Sequence, residues 1–178
     1  PQGAAGLIHN GLPPGDDRRF ERRRESFLAY YQAHSMEATR AFAGVEPMLR
    51  ELEKCGIPWA VVTNKPEYLT HPILEALGWS DRVAGVVCGD TLPRSKPDPA
   101  PVRRACELTD CDPGEALMVG DDARDLQAAR AAGAGPVLAA YGYGAEAVLA
   151  SAEPVEFRVD LPGDVLSLAG LTPRSSRT

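Results

Sequence analysis

From Val45 onward the chain alternates two hydrophobic rhythms. Apolar residues at helical spacing predict helices over Val45–Lys54, ended by Gly56, and over 67–77, closed by Gly78, with Pro72 leaving its start open. Further helices are predicted from Pro99 or Pro101 to Leu108, over Ala123–Ala132 with Gly133 as the stop, and as a terminal turn over Asp164–Leu168. Between them lie short, nearly continuous apolar runs at 59–63, 83–88, 116–119 and 136–140, the pattern of buried strands, and a short edge strand at 155–159. Strands separated by helices predict an α/β fold: a Rossmann-like parallel sheet with helices on both faces.

Residues 1–44 read differently. They lack β-branched runs, and Phe20, Phe27, Leu28, Tyr30 and Tyr31 recur near helical spacing across 17–34. Arg18, Arg19, Arg22, Arg23 and Arg24 lie between them. A solvated helix face, offset by Glu21 and Glu25, is the simpler account of these arginines than a binding patch. The polar stretch 172–178 is expected to be a mobile tail. The organisation expected is therefore 1–44, a core over 45–171, and a tail.

Bulk properties narrow the function classes. At 178 residues, 44% hydrophobic and 25% charged, the chain suits one core with a small appendage. A net charge of −6 argues against general nucleic-acid affinity. Cys55, Cys88, Cys106 and Cys111 form no C-x-x-C pair and have no paired histidines, which argues against zinc and against a disulfide framework. Free thiols, no membrane-length apolar run and no signal peptide lead us to expect a cytoplasmic protein without a membrane association.

Three of the expected strands end in residues that carry chemistry, and parallel sheets bind ligands at their carboxyl ends. The 59–63 strand runs into Thr63-Asn64-Lys65, and the 116–119 strand into Gly120-Asp121-Asp122. The loop after 83–88 carries Ser95-Lys96-Pro97-Asp98-Pro99. Asp121, Asp122 and Asp125 make a hard-oxygen cluster suited to Mg²⁺, which would relieve their mutual repulsion. Lys96 is a compact cation on a loop stiffened by proline, and the Thr63 hydroxyl and Asn64 amide can donate to phosphoryl oxygens. Each group alone has an ordinary explanation: helix caps for the aspartates, a turn for Thr63-Asn64, a surface lysine for Lys96. Together they supply what charge stabilisation in phosphoryl transfer requires.

Thr63-Asn64 after an apolar strand, Lys96 in Ser-Lys-Pro-Asp-Pro and Gly120-Asp-Asp-Ala-Arg-Asp125 resemble motifs two, three and four of the haloacid dehalogenase superfamily of phosphatases. Residues 45–144 resemble its phosphoglycolate phosphatase branch. Val61-Val-Thr-Asn-Lys-Pro66 and Tyr141-Gly-Tyr143 are similar to the bacterial N-acetylmuramic acid 6-phosphate phosphatases, and 1–44 to part of the helical cap these enzymes carry. The resemblance implies Mg²⁺-dependent hydrolysis of a small phosphorylated metabolite, phosphoglycolate or a phosphorylated amino sugar, through an aspartyl-phosphate. It implies that Thr63 and Asn64 bind the phosphoryl group, that Lys96 steadies it, that Asp121 ligates Mg²⁺ with Asp122, and that Asp125 supports the metal or the lysine.

The superfamily's first motif, a strand followed by Asp-x-Asp-Gly-Thr that bears the nucleophile, does not occur in these residues. Asp110-Cys-Asp112 has the spacing but follows a helix pattern and comes after Lys96; Gly15-Asp16-Asp17 follows no strand. The chain is thus expected to begin inside the cap, to lack a central strand between 59–63 and 116–119, and to be inactive alone. Three rivals are weighed. A signalling receiver domain places its acidic pair before the Thr and Lys, the reverse of the order here. A metal-independent dehalogenase would not need Asp121, Asp122 and Asp125. A non-catalytic module that binds Mg²⁺ or phosphate, or docks to a partner, would keep the fold without the nucleophile.

Overall fold

The computed structural model describes residues 39–171; the expected helix at 17–34, its arginines and the tail at 172–178 lie outside the described residues. The chain divides into two units, Pro1–Arg40 and Ala41–Thr178. Within the second unit come α1 (Val45–Lys54), β1 (Ala60–Val62), α2 (Glu67–Ala76), β2 (Gly85–Val87) and α3 (Ala100–Leu108). A 3-10 turn (Pro113–Glu115) leads to β3 (Leu117–Gly120), α4 (Ala123–Ala132), β4 (Gly135–Ala139), α5 (Ala145–Leu149), β5 (Phe157–Val159) and α6 (Asp164–Leu168). Each strand predicted from an apolar run is present, with its ends moved by at most two residues. The sequence pattern missed α5 and the 3-10 turn, which are too short to show a period. Pro72 sits inside α2 without ending it; burial of Leu69, Thr70 and Leu74 holds the helix together across the missing N–H.

The strands are all parallel and form two sheets, which part between β1 and β3. β1 pairs with β2, Ala60 opposite Gly85 and Val62 opposite Val87. β4 lies between β3 and β5, with Gly120 opposite Leu138 and Val137 opposite Phe157. Among the described residues no strand pairs with β1 on the side away from β2, or with β3 on the side away from β4. Helix α3 spans the interruption, packing against β1, β2 and α4. Small side chains allow that approach: Ala128, Ala129 and Ala132 of α4 meet Val102 and Cys106 of α3.

On the other face of the larger sheet, Val137, Val159 and Val165 pack with Met48 and Val119. Val137 and Leu138 in β4 are wholly buried, and each contributes about 1.5–3 kcal/mol of apolar burial. One polar edge of α1 fastens the region around β1. Glu53 accepts from the Trp59 indole at 2.9 Å and Glu46 from that of Trp79 at 3.0 Å. Arg82 donates to both carboxylates, at 3.0 and 2.9 Å. The two indoles meet edge to face at 5.6 Å, so the tryptophans are near-core packing residues.

Candidate functional site

The site assembles where β1 and β3 end. Thr63 continues the ladder of β1 by donating its N–H to the Val87 carbonyl at 2.9 Å. Its hydroxyl oxygen then accepts from the Lys65 N–H at 3.0 Å, turning the chain and leaving the hydroxyl proton to donate. Asn64 reaches across 32 residues to the Lys96 backbone: its amide donates to the Lys96 carbonyl at 2.8 Å, and its carbonyl accepts from the Lys96 N–H at 3.0 Å. Asn64 was expected to present its amide to phosphate. Its carbonyl and one amide proton hold the lysine loop in register with β1, and the other amide proton is left for that role.

Held this way, the Lys96 side chain turns inward. Its Nζ donates to the Val62 carbonyl at 2.6 Å and lies 2.7 Å from Asp125 Oδ1, with the two side chains only 8% and 11% exposed. The ammonium therefore ties the end of β1 to the start of α4. An ion pair this buried is stable only when its remaining hydrogen-bonding capacity is satisfied, and the Val62 carbonyl does part of that.

The three aspartates divide their labour. Asp122 is the N-cap of α4 and forms a capping box with Asp125. Asp125 Oδ2 accepts from the Asp122 N–H at 3.3 Å while Oδ1 faces Lys96. A Cβ on Gly120 would stand 2.3 Å from Asp125 Oδ2 and 2.5 Å from its Cβ, so only glycine lets β3 pass beneath this carboxylate. Asp122 Oδ1 accepts from the Arg124 backbone N–H at 2.9 Å and from its Nε at 2.8 Å, and Oδ2 from Nη2 at 2.7 Å. The Arg124 guanidinium, aided by its backbone N–H, holds the Asp122 carboxyl down at about 2 against the opposing effect of burial. Asp121 Oδ2 accepts from the Gly144 N–H at 2.9 Å.

The Asp122 value links to stability. Its folded-state pKa lies below the ordinary 3.8, so its contribution is complete above that value and is lost as pH falls through about 2. Asp122→Asn keeps the cap but removes the charge. It is expected to cost roughly 2 kcal/mol at pH 7, with the gap to wild type closing below pH 2. Urea denaturation of both proteins at pH 7, 4 and 2 checks this; equal midpoints at pH 7 would refute it.

The metal set expected from the sequence is thinner in the structure. Asp125 is committed to Lys96, and both oxygens of Asp122 to Arg124. Among the described residues no group of three or more His, Cys, Asp and Glu side chains is placed to hold a metal ion. Asp121 fits as one carboxylate ligand, since its Oδ1 keeps free accepting capacity, and Asp122 fits as its neighbour's support rather than as a ligand. By themselves these residues do not complete a Mg²⁺ shell. All four cysteines are free, as their spacing indicated.

Sequence reasoning missed four participants: the Val62 carbonyl, the Gly144 N–H, the Gly142 backbone and the Arg124 guanidinium. Backbone groups leave no mark in composition. The one available signal was Gly-Tyr-Gly at 142–144, two glycines bracketing an aromatic just after a strand. A Cβ on Gly142 would stand 2.3 Å from Asp121 Cβ, and one on Gly144 2.6 Å from the Asp121 carbonyl oxygen. Beside them, burial and then the Asp121 charge push the Tyr141 phenol upward.

The sequence model described as Haloacid dehalogenase-like hydrolase matches residues 15–139. The chain belongs to the haloacid dehalogenase-like hydrolase family. It is 41% identical over 128 residues to the N-acetylmuramic acid 6-phosphate phosphatase of Pseudomonas aeruginosa, covering 72% of this chain and 57% of that one. It is 42% identical over 142 residues to the phosphoglycolate phosphatase of Xylella fastidiosa, covering 80% and 62%. The crystal structure of a predicted phosphoglycolate phosphatase from Haemophilus somnus superposes with a TM-score of 0.75 at 30% identity, covering 85% of this chain and 67% of that one. The chain thus spans about three fifths of the length of the two curated relatives described. Among the described residues no helix is long and apolar enough to cross a membrane.

Proposed function

We propose that the haloacid dehalogenase-like site handles the phosphoryl group of small phosphate monoesters and belongs to a cytoplasmic phosphatase. The observation that carries this is the buried Lys96 ammonium, fixed between the Val62 carbonyl and Asp125 beside the free Thr63 hydroxyl proton. A cation locked in place by packing costs no reorganisation when charge shifts onto the transferring oxygens. In this reading Thr63 and the remaining Asn64 proton orient the phosphoryl group, Lys96 offsets its charge, and Asp125 and Asn64 position Lys96. Asp121 is the described residue that would hold Mg²⁺, which supplies further charge neutralisation when bound. The names of the relatives support two substrate classes, a two-carbon acid phosphate and an amino-sugar phosphate. The resemblance supports an aspartyl-phosphate route, with a nucleophile other than the residues named here.

The test is phosphate release by the full-length protein from 2-phosphoglycolate, glucosamine 6-phosphate and N-acetylmuramic acid 6-phosphate, with Mg²⁺ and with EDTA. Release that depends on Mg²⁺ is expected. No release from any monoester would favour the non-catalytic module, and release that survives EDTA would remove Asp121 from the metal role.

A further inference from the structure

The loop that grips Asp121 also carries the most exposed of the large hydrophobic residues described, Tyr143, at 91%. Its position is fixed from both sides. Gly142 donates its N–H to the Ala139 carbonyl at 2.9 Å and Gly144 donates to Asp121 Oδ2, while neither glycine has room for a Cβ against Asp121. The Tyr143 ring lies 5.1 Å from that of Phe42, tilted by 48°, and Phe42 meets Tyr141 edge to face at 5.4 Å. Tyr141 is anchored against Val137, Val159 and Val165. The outer two rings remain open to solvent, with Phe42 at 37%. A propped aromatic face of this kind, one residue from the backbone donor of a site carboxylate, is unspent by either the core or the chemistry above.

We propose that Tyr143, propped by Phe42, is a stacking wall that selects phosphate monoesters bearing a pyranose ring over two-carbon acid phosphates; this rests on the phosphatase reading. An aromatic face carries negative potential, which attracts the weakly positive C–H face of a sugar ring and repels a carboxylate. Phe42, itself packed on Tyr141, lies against the Tyr143 ring and so limits the side-chain freedom lost on binding. Phosphoglycolate offers only a carboxylate and one methylene, too little surface to stack.

The experiment compares kcat/KM for glucosamine 6-phosphate and 2-phosphoglycolate in full-length wild type, Tyr143→Ala and Tyr143→Phe. The sugar-to-glycolate ratio is expected to fall about tenfold in Tyr143→Ala, mainly through KM, and to be kept within about twofold by Tyr143→Phe, which retains the face. An unchanged ratio in Tyr143→Ala overturns the proposal, even if both rates fall. If wild type releases phosphate from neither compound, calorimetric titration with glucosamine 6-phosphate decides the wall separately, while the phosphatase reading falls only if N-acetylmuramic acid 6-phosphate is not hydrolysed either. Binding about tenfold weaker in Tyr143→Ala supports it; equal binding, or none to wild type, overturns it.

Discussion

Lys96→Met is expected to lower folding stability by about 3–5 kcal/mol and phosphatase turnover by about 10²–10³-fold. The stability loss follows from burial. The Asp125 side chain is 11% exposed, and without the ammonium at 2.7 Å its buried charge keeps only the long hydrogen bond from the Asp122 N–H. Methionine fills the volume of the stem, so the loss reports the stranded charge rather than a cavity. Removing both charges separates the two effects. Lys96→Met combined with Asp125→Leu is expected to recover much of the stability and none of the activity, since no cation then faces the phosphoryl oxygens. Urea denaturation with a shared slope, together with phosphate release by the full-length proteins, reads both quantities. A single-variant loss under about 1 kcal/mol would show that the pair is not the tie between β1 and α4 described here.

Gly142→Ala is expected to be nearly as damaging to function with less harm to the fold. The added methyl would stand 2.3 Å from Asp121 Cβ and 2.7 Å from its Cγ, well inside contact distance. Either the 142–144 loop or Asp121 must move, at a cost of about 1–3 kcal/mol for the overpacking. A displacement on the order of 1 Å at a charge-handling carboxylate costs roughly a hundredfold in rate. Because Asp121 is the carboxylate proposed for Mg²⁺, the Mg²⁺ concentration for half-maximal rate should rise as well. A variant with wild-type turnover and an unchanged Mg²⁺ requirement would mean that Asp121 is not positioned by this loop.

These two variants probe different halves of the site, and they were differently legible. Lys96 and Asp125 are charged residues in recognisable contexts, and the sequence brought both to strand ends. Gly142 carries no functional group. Its part depends on which side chain happens to lie above its α-carbon, and a sequence does not record that. The same holds for Asn64 and Asp122. Both were expected as direct binders because of their chemistry; both turn out to spend most of their hydrogen bonding on nearby backbone or on Arg124. Side-chain chemistry says what a residue can do, and neighbours decide how much of that capacity remains.

Sequence by itself determined the order and type of the elements other than α5 and the 3-10 turn, because hydrophobic period, prolines and terminal glycines act locally. α1, α4 and α6 lie over the residues their patterns predict. It also determined which chemical groups lie at strand ends, since parallel connections send every strand's carboxyl end the same way. Tertiary structure alone decided the rest: the inward turn of Lys96, the division of the three aspartates into ligand candidate, cap and lysine partner, and the grip of 142–144 on Asp121. Each of these depends on contacts between segments that are distant in sequence or on backbone lying too close to a neighbour to leave room for a Cβ, and such contacts arise only when the chain has packed.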